Sequence, residues 1–250
     1  GHGDERSVVG VVPPLVAGVF LVLTGVLLVG DLKQPKRFWY LLMKGNWTSW
    51  LVKGAWVLGA FAVCLAAWWV AGLADAGGVL PVLVVPTVLL ALGTAGYTAF
   101  LFGQCEGRDL WQEPLLLPIL LAQAVMAGGA SWSLFDQFLD VPSHESVKWL
   151  FLAGLTANAA LVGAEFRGGH SRHVTMALAD LRHGDQKKRW REWLFCTTFA
   201  LLFLGLDILL GDFVLDWTTP VQSVVPLAAL YGLFAYEDAY VRAGQSVPLS

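Results

Sequence analysis

The stretch at residues 49–74 reads SWLVKGAWVLGAFAVCLAAWWVAGLA and holds a single charged side chain, that of Lys53. An α-helix needs about 20 predominantly apolar residues to cross the hydrocarbon core of a bilayer. Six more stretches of similar character lie along the chain, at residues 11–30, 79–103, 115–135, 146–166, 190–211 and 219–236. The sequence therefore predicts an all-α integral membrane protein, in which about seven transmembrane helices form a single domain over residues 1–250.

The overall composition agrees with this class. Hydrophobic residues make up 56% of the chain and charged residues only 14%, whereas soluble domains usually carry about 25% charged residues. A soluble fold would leave much of this apolar surface in water. The expected surroundings are membrane lipid, and nothing in the chain points to a nucleic-acid partner.

The basic residues are segregated along the chain. Fourteen of the 16 Lys and Arg residues lie in or beside the connections at 31–48, 104–114 and 165–191 and the C-terminal tail. Successive spans alternate in direction, so these four segments share one face, and by the positive-inside rule that face is cytoplasmic. The opposite face keeps only Arg6 and Lys148.

The long connection at 165–191 contains a helical pattern of its own. Val174, Ala177, Leu178 and Leu181 recur at helical spacing, which predicts an amphipathic helix over residues 172–183 at the membrane interface. This basic connection is the one extended segment outside the spans. Its surface faces either lipid headgroups or a cytoplasmic partner.

Three polar residues inside or at the end of spans are candidates for a proton path. Asp207 is predicted to lie in the middle of its span, Asn158 lies within another span, and Glu165 closes its helix. Ionisable groups inside a membrane are costly and are often functional. The alternative for Asn158, as for Gln123, is a hydrogen bond between helices.

The densest polar segment, QCEGRDLWQ at residues 104–112, follows a helix that bears Tyr97. Amide, carboxylate and guanidinium groups between aromatic walls suit a quinone headgroup, which needs hydrogen-bond donors and a group that exchanges protons. A salt-bridged turn at the membrane surface is the alternative interpretation. The candidate quinone-binding residues are Tyr97, Gln104, Glu106, Arg108, Asp109 and Trp111.

The histidines and cysteines argue against a redox centre in this chain. All five histidines lie in termini or connections, whereas a b-type haem needs axial histidines inside the spans. The three cysteines are single and show no CxxC spacing. We therefore expect no haem and no metal in this chain.

Three motifs in order resemble the NrfD/PsrC-type membrane subunits, which anchor polysulfide reductase and related molybdopterin enzymes. DLKQPKRF at 31–38 resembles the family's loop D-L-G-R-P-x-R-F, NWTSW at 46–50 fits N-W-x-S-W, and GRDLW at 107–111 fits G-R-x-L-W. The similarity extends to Glu165 at the end of its span and to the basic connection after it. It departs at positions 33–34, where Lys-Gln replaces Gly-Arg.

The resemblance implies a haem-free, quinone-binding subunit of a multi-subunit oxidoreductase in a bacterial or archaeal inner membrane. Such a subunit exchanges electrons between menaquinone or ubiquinone and a ferredoxin-like iron-sulfur subunit, while a separate molybdopterin subunit carries out catalysis. The residues expected to support partner docking are Asp31, Lys36, Arg37, Arg167 and His170. The family typically has eight spans, so the resemblance also implies a further N-terminal helix, which fits a chain that begins at Gly1 rather than Met.

Two other functions remain open at this stage. An ion or proton-coupled transporter would use Asp207, Glu165 and Asn158 as a relay and would be expected to show an internal repeat. A passive anchor would only hold its partner at the membrane. Changes at Tyr97 and Asp109 distinguish the passive anchor from the quinone-reactive subunit, because they reduce quinone-linked turnover only in the latter.

Overall fold

The computed structural model describes residues 2–30, 32–136, 144–210 and 220–248, and in these ranges it contains helices and no strand. Two 3-10 turns, at Pro35–Arg37 and Asp109–Gln112, interrupt the connections. The α-helices within the described ranges are α1 His2–Gly30, α2 Phe38–Lys44, α3 Trp50–Leu73, α4 Leu80–Gly103, α5 Leu116–Phe135, α6 His144–Glu165, α7 Arg172–His183, α8 Lys187–Leu210 and α9 Pro220–Ser246.

Six helices in the described part of the chain, α1, α3, α4, α5, α6 and α8, are long and apolar enough to cross a membrane. The ends of α3, α4, α5, α6 and α8 lie within three residues of the predicted spans. Helix α1 begins nine residues earlier than predicted, at His2. The prediction of an all-α membrane bundle is confirmed.

The seventh predicted span corresponds to α9, which continues ten residues beyond the predicted end at 236. The sequence pattern placed that end at Glu237 and Asp238, because charges usually mark the end of an apolar span. In the structure the Arg242 Nε donates a hydrogen bond to the Asp238 carboxylate at 2.8 Å. The Nε of Arg189, on α8, forms an ion pair with the other oxygen of that carboxylate at 3.2 Å. Paired charges do not stop the helix, so α9 runs on to Ser246.

The chain divides into two compact units, residues 1–101 and 102–250. In the first unit, α1 and α3 cross at two glycines: a methyl group built on Gly72 would lie 2.3 Å from the backbone oxygen of Gly10. The single-domain organisation expected from the sequence stays a prediction.

Helix α4 completes the first unit by packing on α3. A methyl group on Gly93 would lie 3.1 Å from Val57, and the rings of Trp50 and Phe100 stack with centroids 4.2 Å apart. Small residues at such crossings let helices approach closely, as packing within a membrane favours.

The second unit is built on α5, α6, α8 and α9. Its apolar core holds one pair of buried residues from each of these helices: Met126 and Ala130, Phe151 and Leu155, Ala200 and Leu204, and Val225 and Ala229. Helices α5 and α6 are in close contact, because a methyl group on Gly129 would lie 2.7 Å from the Phe151 backbone. This core separates the two ends of the unit.

Helix α7 occupies the predicted range 172–183. Ser171 caps its N-terminus, since the Ser171 Oγ accepts a hydrogen bond from the Val174 amide. The four apolar residues of the predicted stripe are all buried, and α7 packs against α8, α9 and the 3-10 turn at Asp109–Gln112. The apolar side of the amphipathic helix therefore contacts the protein.

Candidate functional site

The connection at 104–113, which we call the polar turn, lies at one end of the second unit. Gly107 has a φ of 84°, a left-handed conformation that glycine adopts at little cost, and the 3-10 turn Asp109–Gln112 follows it. The turn contacts the start of α7 and the C-terminal end of α9. Three of the four predicted basic-face segments thus meet at one end of this unit.

Arg108 fixes the end of α9. Its Nη1 donates to the backbone oxygens of Gly244 at 3.1 Å, Gln245 at 2.9 Å and Val247 at 2.8 Å. The last carbonyl groups of a helix have no partner within the helix and carry partial negative charge. The guanidinium group of Arg108 therefore caps α9, and Trp111 packs beside it so closely that a methyl group on Gly244 would lie 2.2 Å from the indole nitrogen.

Asp109 ties the polar turn to α7. The Ser171 hydroxyl donates to the Asp109 carboxylate at 2.6 Å, and the His173 Nδ1 lies 3.7 Å from the same oxygen. The Asp109 side chain retains 24% exposure. Gln104 and Glu106, at the start of the turn, are exposed.

His170 joins the turn to α6. Its Nδ1 lies 3.3 Å from a carboxylate oxygen of Glu113, and its Nε2 contacts the backbone oxygen of Glu165. The His170 side chain is only 8% exposed. His170 was expected to contact a partner, but it is held inside the chain by these two contacts.

The carboxylate of Glu165 is fully buried between two tyrosines of α9. The Tyr236 hydroxyl donates to it at 3.3 Å and the Tyr240 hydroxyl lies 3.4 Å from its other oxygen. Tyr240 also donates to the backbone oxygen of Leu110, in the polar turn, at 2.8 Å. The Tyr240 hydroxyl has a single proton, so Glu165 has one phenol donor in Tyr236 and shares the second with the Leu110 carbonyl. Such a buried carboxylate can hold or release a proton directly beneath the turn.

Two buried amides lie deeper in the same unit. The Asn158 side chain is fully buried, and neither of its polar atoms has a hydrogen-bond partner among the described residues. The Gln123 amide faces the carboxylate of Glu237, but its Nε2 likewise has no partner there within hydrogen-bonding distance. Buried amides are costly unless their hydrogen bonds are made, so the burial of these two side chains opposes folding.

Asp207 lies at the other end of the second unit. It sits three residues before the end of α8, rather than in the middle of its span, and pairs with Lys148 at 3.2 Å. Lys148 and Glu165 are 17 residues apart on α6, which corresponds to about 25 Å. The apolar core, including Phe151 and Leu155 of α6, lies between them, so the described residues do not connect the three predicted proton-path residues by hydrogen bonds.

The remaining candidates lie in several places. Tyr97 belongs to the first unit, where its ring fills the space over Gly54; a methyl group there would lie 2.3 Å from the Tyr97 Cδ2. Lys36 and Arg167 are exposed, and their role in docking stays a prediction. Asp31 and the side chain of Arg37 lie outside the described part of the structure.

The tyrosines of α9 and the carboxylate of Glu113 were not among the candidates from the sequence. Tyr236 and Tyr240 lie four residues apart, which places them on one face of a helix. That signal was readable, but the predicted span ended at 236, so the second tyrosine fell outside it. Within the described residues, no group of three or more His, Cys, Asp or Glu side chains could hold a metal ion.

Comparison with models of protein families gives a match over residues 4–221 to the family described as polysulphide reductase, NrfD. No individual curated protein matches significantly. The match covers more than four fifths of the 250 residues and confirms the resemblance carried by the three motifs. The chain belongs to the NrfD family and is a multi-pass membrane anchor subunit of the molybdopterin oxidoreductase type.

Proposed function

We propose that this chain is a quinone-reactive subunit that exchanges electrons between membrane quinone and an iron-sulfur partner docked at the end bearing the polar turn. The observation that carries the proposal is the buried Glu165 carboxylate, held by Tyr236 and Tyr240 directly beneath that turn. Conversion of a quinone to a quinol takes up two electrons and two protons. The partner exchanges the electrons with the quinone, and this cluster exchanges the protons.

The geometry divides the predicted quinone-binding residues into two groups. Arg108 and Trp111 contact the end of α9, so we propose that they hold the polar turn in place rather than bind quinone. Gln104, Glu106 and Asp109 keep exposed surface and are assigned to the headgroup. Tyr97, buried in the first unit, stays a candidate that mutation can test.

The test is quinone-linked turnover of the intact complex carrying Glu165→Gln or Asp109→Asn. A positioned acid–base group contributes roughly 10²–10⁴-fold to a rate, so Glu165→Gln should lower turnover at saturating quinone about 100-fold while the subunits still assemble. The matched control is Glu145→Gln, whose carboxylate is 62% exposed at the other end of α6. Unchanged turnover in both Glu165→Gln and Asp109→Asn would indicate that the chain is a passive anchor.

The partner is proposed to dock from the cytoplasm, because the polar turn lies among the basic connections. The assay is labelling of intact cells and of inverted membrane vesicles with a membrane-impermeant maleimide. Cys105, in the polar turn, is partly exposed, whereas Cys64 and Cys196 are buried. Labelling of Cys105 in inverted vesicles alone supports the proposal, and labelling in intact cells places the partner outside the cytoplasm.

A transporter that uses Asn158, Glu165 and Asp207 as one relay is disfavoured. Asp207 is neutralised by Lys148 at the far end of α6, and the apolar core intervenes. Proton exchange by Glu165 with one side of the membrane alone requires no such relay. The Glu165 cluster therefore fits a quinone site better than a transmembrane path.

A further inference from the structure

The first unit contains an elongated apolar groove. Residues 14–30 of α1 and 55–69 of α3 line a cavity of about 1350 Å³, together with Phe38, Trp39 and Leu42 around α2. The lining residues Val22 and Val26 are 66% and 64% exposed, so the cavity is an open groove rather than a closed chamber. Its lining is built from Ala, Gly, Leu, Val, Pro, Phe and Trp alone, which suits a hydrocarbon chain.

The groove has the length of a lipid chain in a membrane. Its α1 wall runs from Pro14 to Gly30, or about 24 Å at 1.5 Å per residue, within a hydrocarbon core of about 30 Å. It begins beyond the tight crossing of Gly10 and Gly72. The groove therefore extends along α1 toward the end that carries the connection 31–49.

Three glycines lie along the walls at positions where the described residues leave room for a side chain. Methyl groups built on Gly18, Gly25 and Gly59 would meet nothing within 4 Å, and all three glycines line the groove. A glycine inside a helix costs about 1 kcal/mol relative to alanine, and within the described residues no atom lies close enough to require glycine at these three positions. Because these three glycines have no side chain, they leave space for a ligand along the groove.

The end of the groove near Gly30 and α2 is strongly basic. Lys33, Lys36, Arg37, Lys44 and Lys53 accompany a single acidic residue, Asp31, between residues 31 and 73. Lys33, Lys36 and Lys44 are exposed, and Phe38 and Leu42, which line the groove, lie two residues from Lys36 and Lys44 respectively. Basic residues beside a membrane surface attract anionic lipid headgroups.

From this arrangement we propose that the first unit binds an anionic phospholipid, with an acyl chain in the groove and the phosphate among Lys33, Lys36 and Lys44. The charge at one end selects this occupant. A neutral isoprenoid chain or the helix of another subunit would fill the apolar part but would not use the lysines. The proposal rests on the first unit alone and is independent of the quinone site.

The test uses the tryptophans of the groove, Trp39 and Trp69, as reporters. The intact complex is placed in phosphatidylcholine vesicles that contain a small fraction of phosphatidylglycerol or phosphatidylcholine with brominated acyl chains, and tryptophan quenching is titrated. Phosphatidylglycerol should bind on the order of 100-fold more tightly than phosphatidylcholine. Each of the three lysines contributes about 1 kcal/mol, or about fivefold in affinity, and the three factors multiply. Trp39→Phe with Trp69→Phe should remove the part of the quenching that favours phosphatidylglycerol, while other exposed tryptophans such as Trp56 and Trp149 still report the bulk lipid.

Two triple variants separate the headgroup site from general surface charge. Lys33→Gln/Lys36→Gln/Lys44→Gln should abolish the preference for phosphatidylglycerol, whereas Lys187→Gln/Lys188→Gln/Arg191→Gln, at exposed positions of α8, should retain it. Equal quenching by the two lipids would overturn the proposal. So would a preference for phosphatidylglycerol that persists without Trp39 and Trp69, displacement of the lipid by an uncharged isoprenoid, or a complex in which neither lipid quenches these two tryptophans because another helix covers the groove.

Discussion

Arg108 offers a sharp test of the geometry, because the sequence assigned it to quinone whereas the structure engages it with α9. We expect Arg108→Met, which keeps the apolar stem and removes every donor, to destabilise the C-terminal end of α9. The Nη1 group has two N–H bonds, so at most two of its three carbonyl contacts are full hydrogen bonds at once.

The magnitude follows from those two bonds. Hydrogen bonds that involve a charged group contribute roughly 1.5–3 kcal/mol each, and the lower value, appropriate to partly exposed groups, gives a loss of about 3 kcal/mol in the free energy of unfolding. For a chain of this size, 1 kcal/mol corresponds to roughly 2–4 °C in the unfolding midpoint. The expected decrease in Tm is therefore about 6–12 °C.

The assay is thermal unfolding of the purified complex in mild detergent, together with hydrogen exchange of the amides at residues 243–247. Arg191→Met is the matched control, since Arg191 is exposed on α8, and it should change Tm by little. A Tm shift below 2 °C for Arg108→Met, accompanied by a large increase in the KM for quinone, would refute the capping role and assign Arg108 to the headgroup.

Further predictions concern the ion pair and one glycine. Lys148→Met should lower the free energy of unfolding by about 3 kcal/mol, because it leaves the buried Asp207 carboxylate without its cation. The double variant Lys148→Met/Asp207→Leu should recover most of this loss. An equal loss in the double variant would show that the two residues are not paired. Gly54→Ala should cost about 1–3 kcal/mol, since its methyl group must displace the Tyr97 ring, whereas Gly59→Ala, at an open position, should be neutral or stabilising. A neutral Gly54→Ala in thermal unfolding would mean that Tyr97 is not packed there.

The helices could be predicted closely because the bilayer imposes a length on them. Apolar runs fixed the ends of α3, α4, α5, α6 and α8 to within three residues, and the spacing from Val174 to Leu181 located α7. The end of α9 could not be predicted, since it depends on the pairing of Asp238 with Arg189 of another helix. Contacts between helices are not encoded in the pattern of a single one.

The candidate site shows the same division. The sequence identified the polar turn and Glu165 from their chemistry, but the partners of Glu165 come from α9, some 70 residues later. It also could not identify the partners of neighbouring residues in the motif: Arg108 and Asp109 are both half-buried, yet Arg108 caps α9 whereas Asp109 contacts Ser171 at the start of α7. Tertiary contacts, rather than residue type, decide these roles.

The central claim is that this chain binds quinone as part of a complex with an iron-sulfur subunit. The most direct test is to purify the chain in mild detergent from its native membrane, identify every copurifying subunit and quantify the quinone extracted per chain. We predict that an iron-sulfur subunit and a molybdopterin subunit copurify with close to one quinone per chain. Asp109→Asn should lower the amount of bound quinone. A chain that purifies alone and carries no quinone would contradict the account.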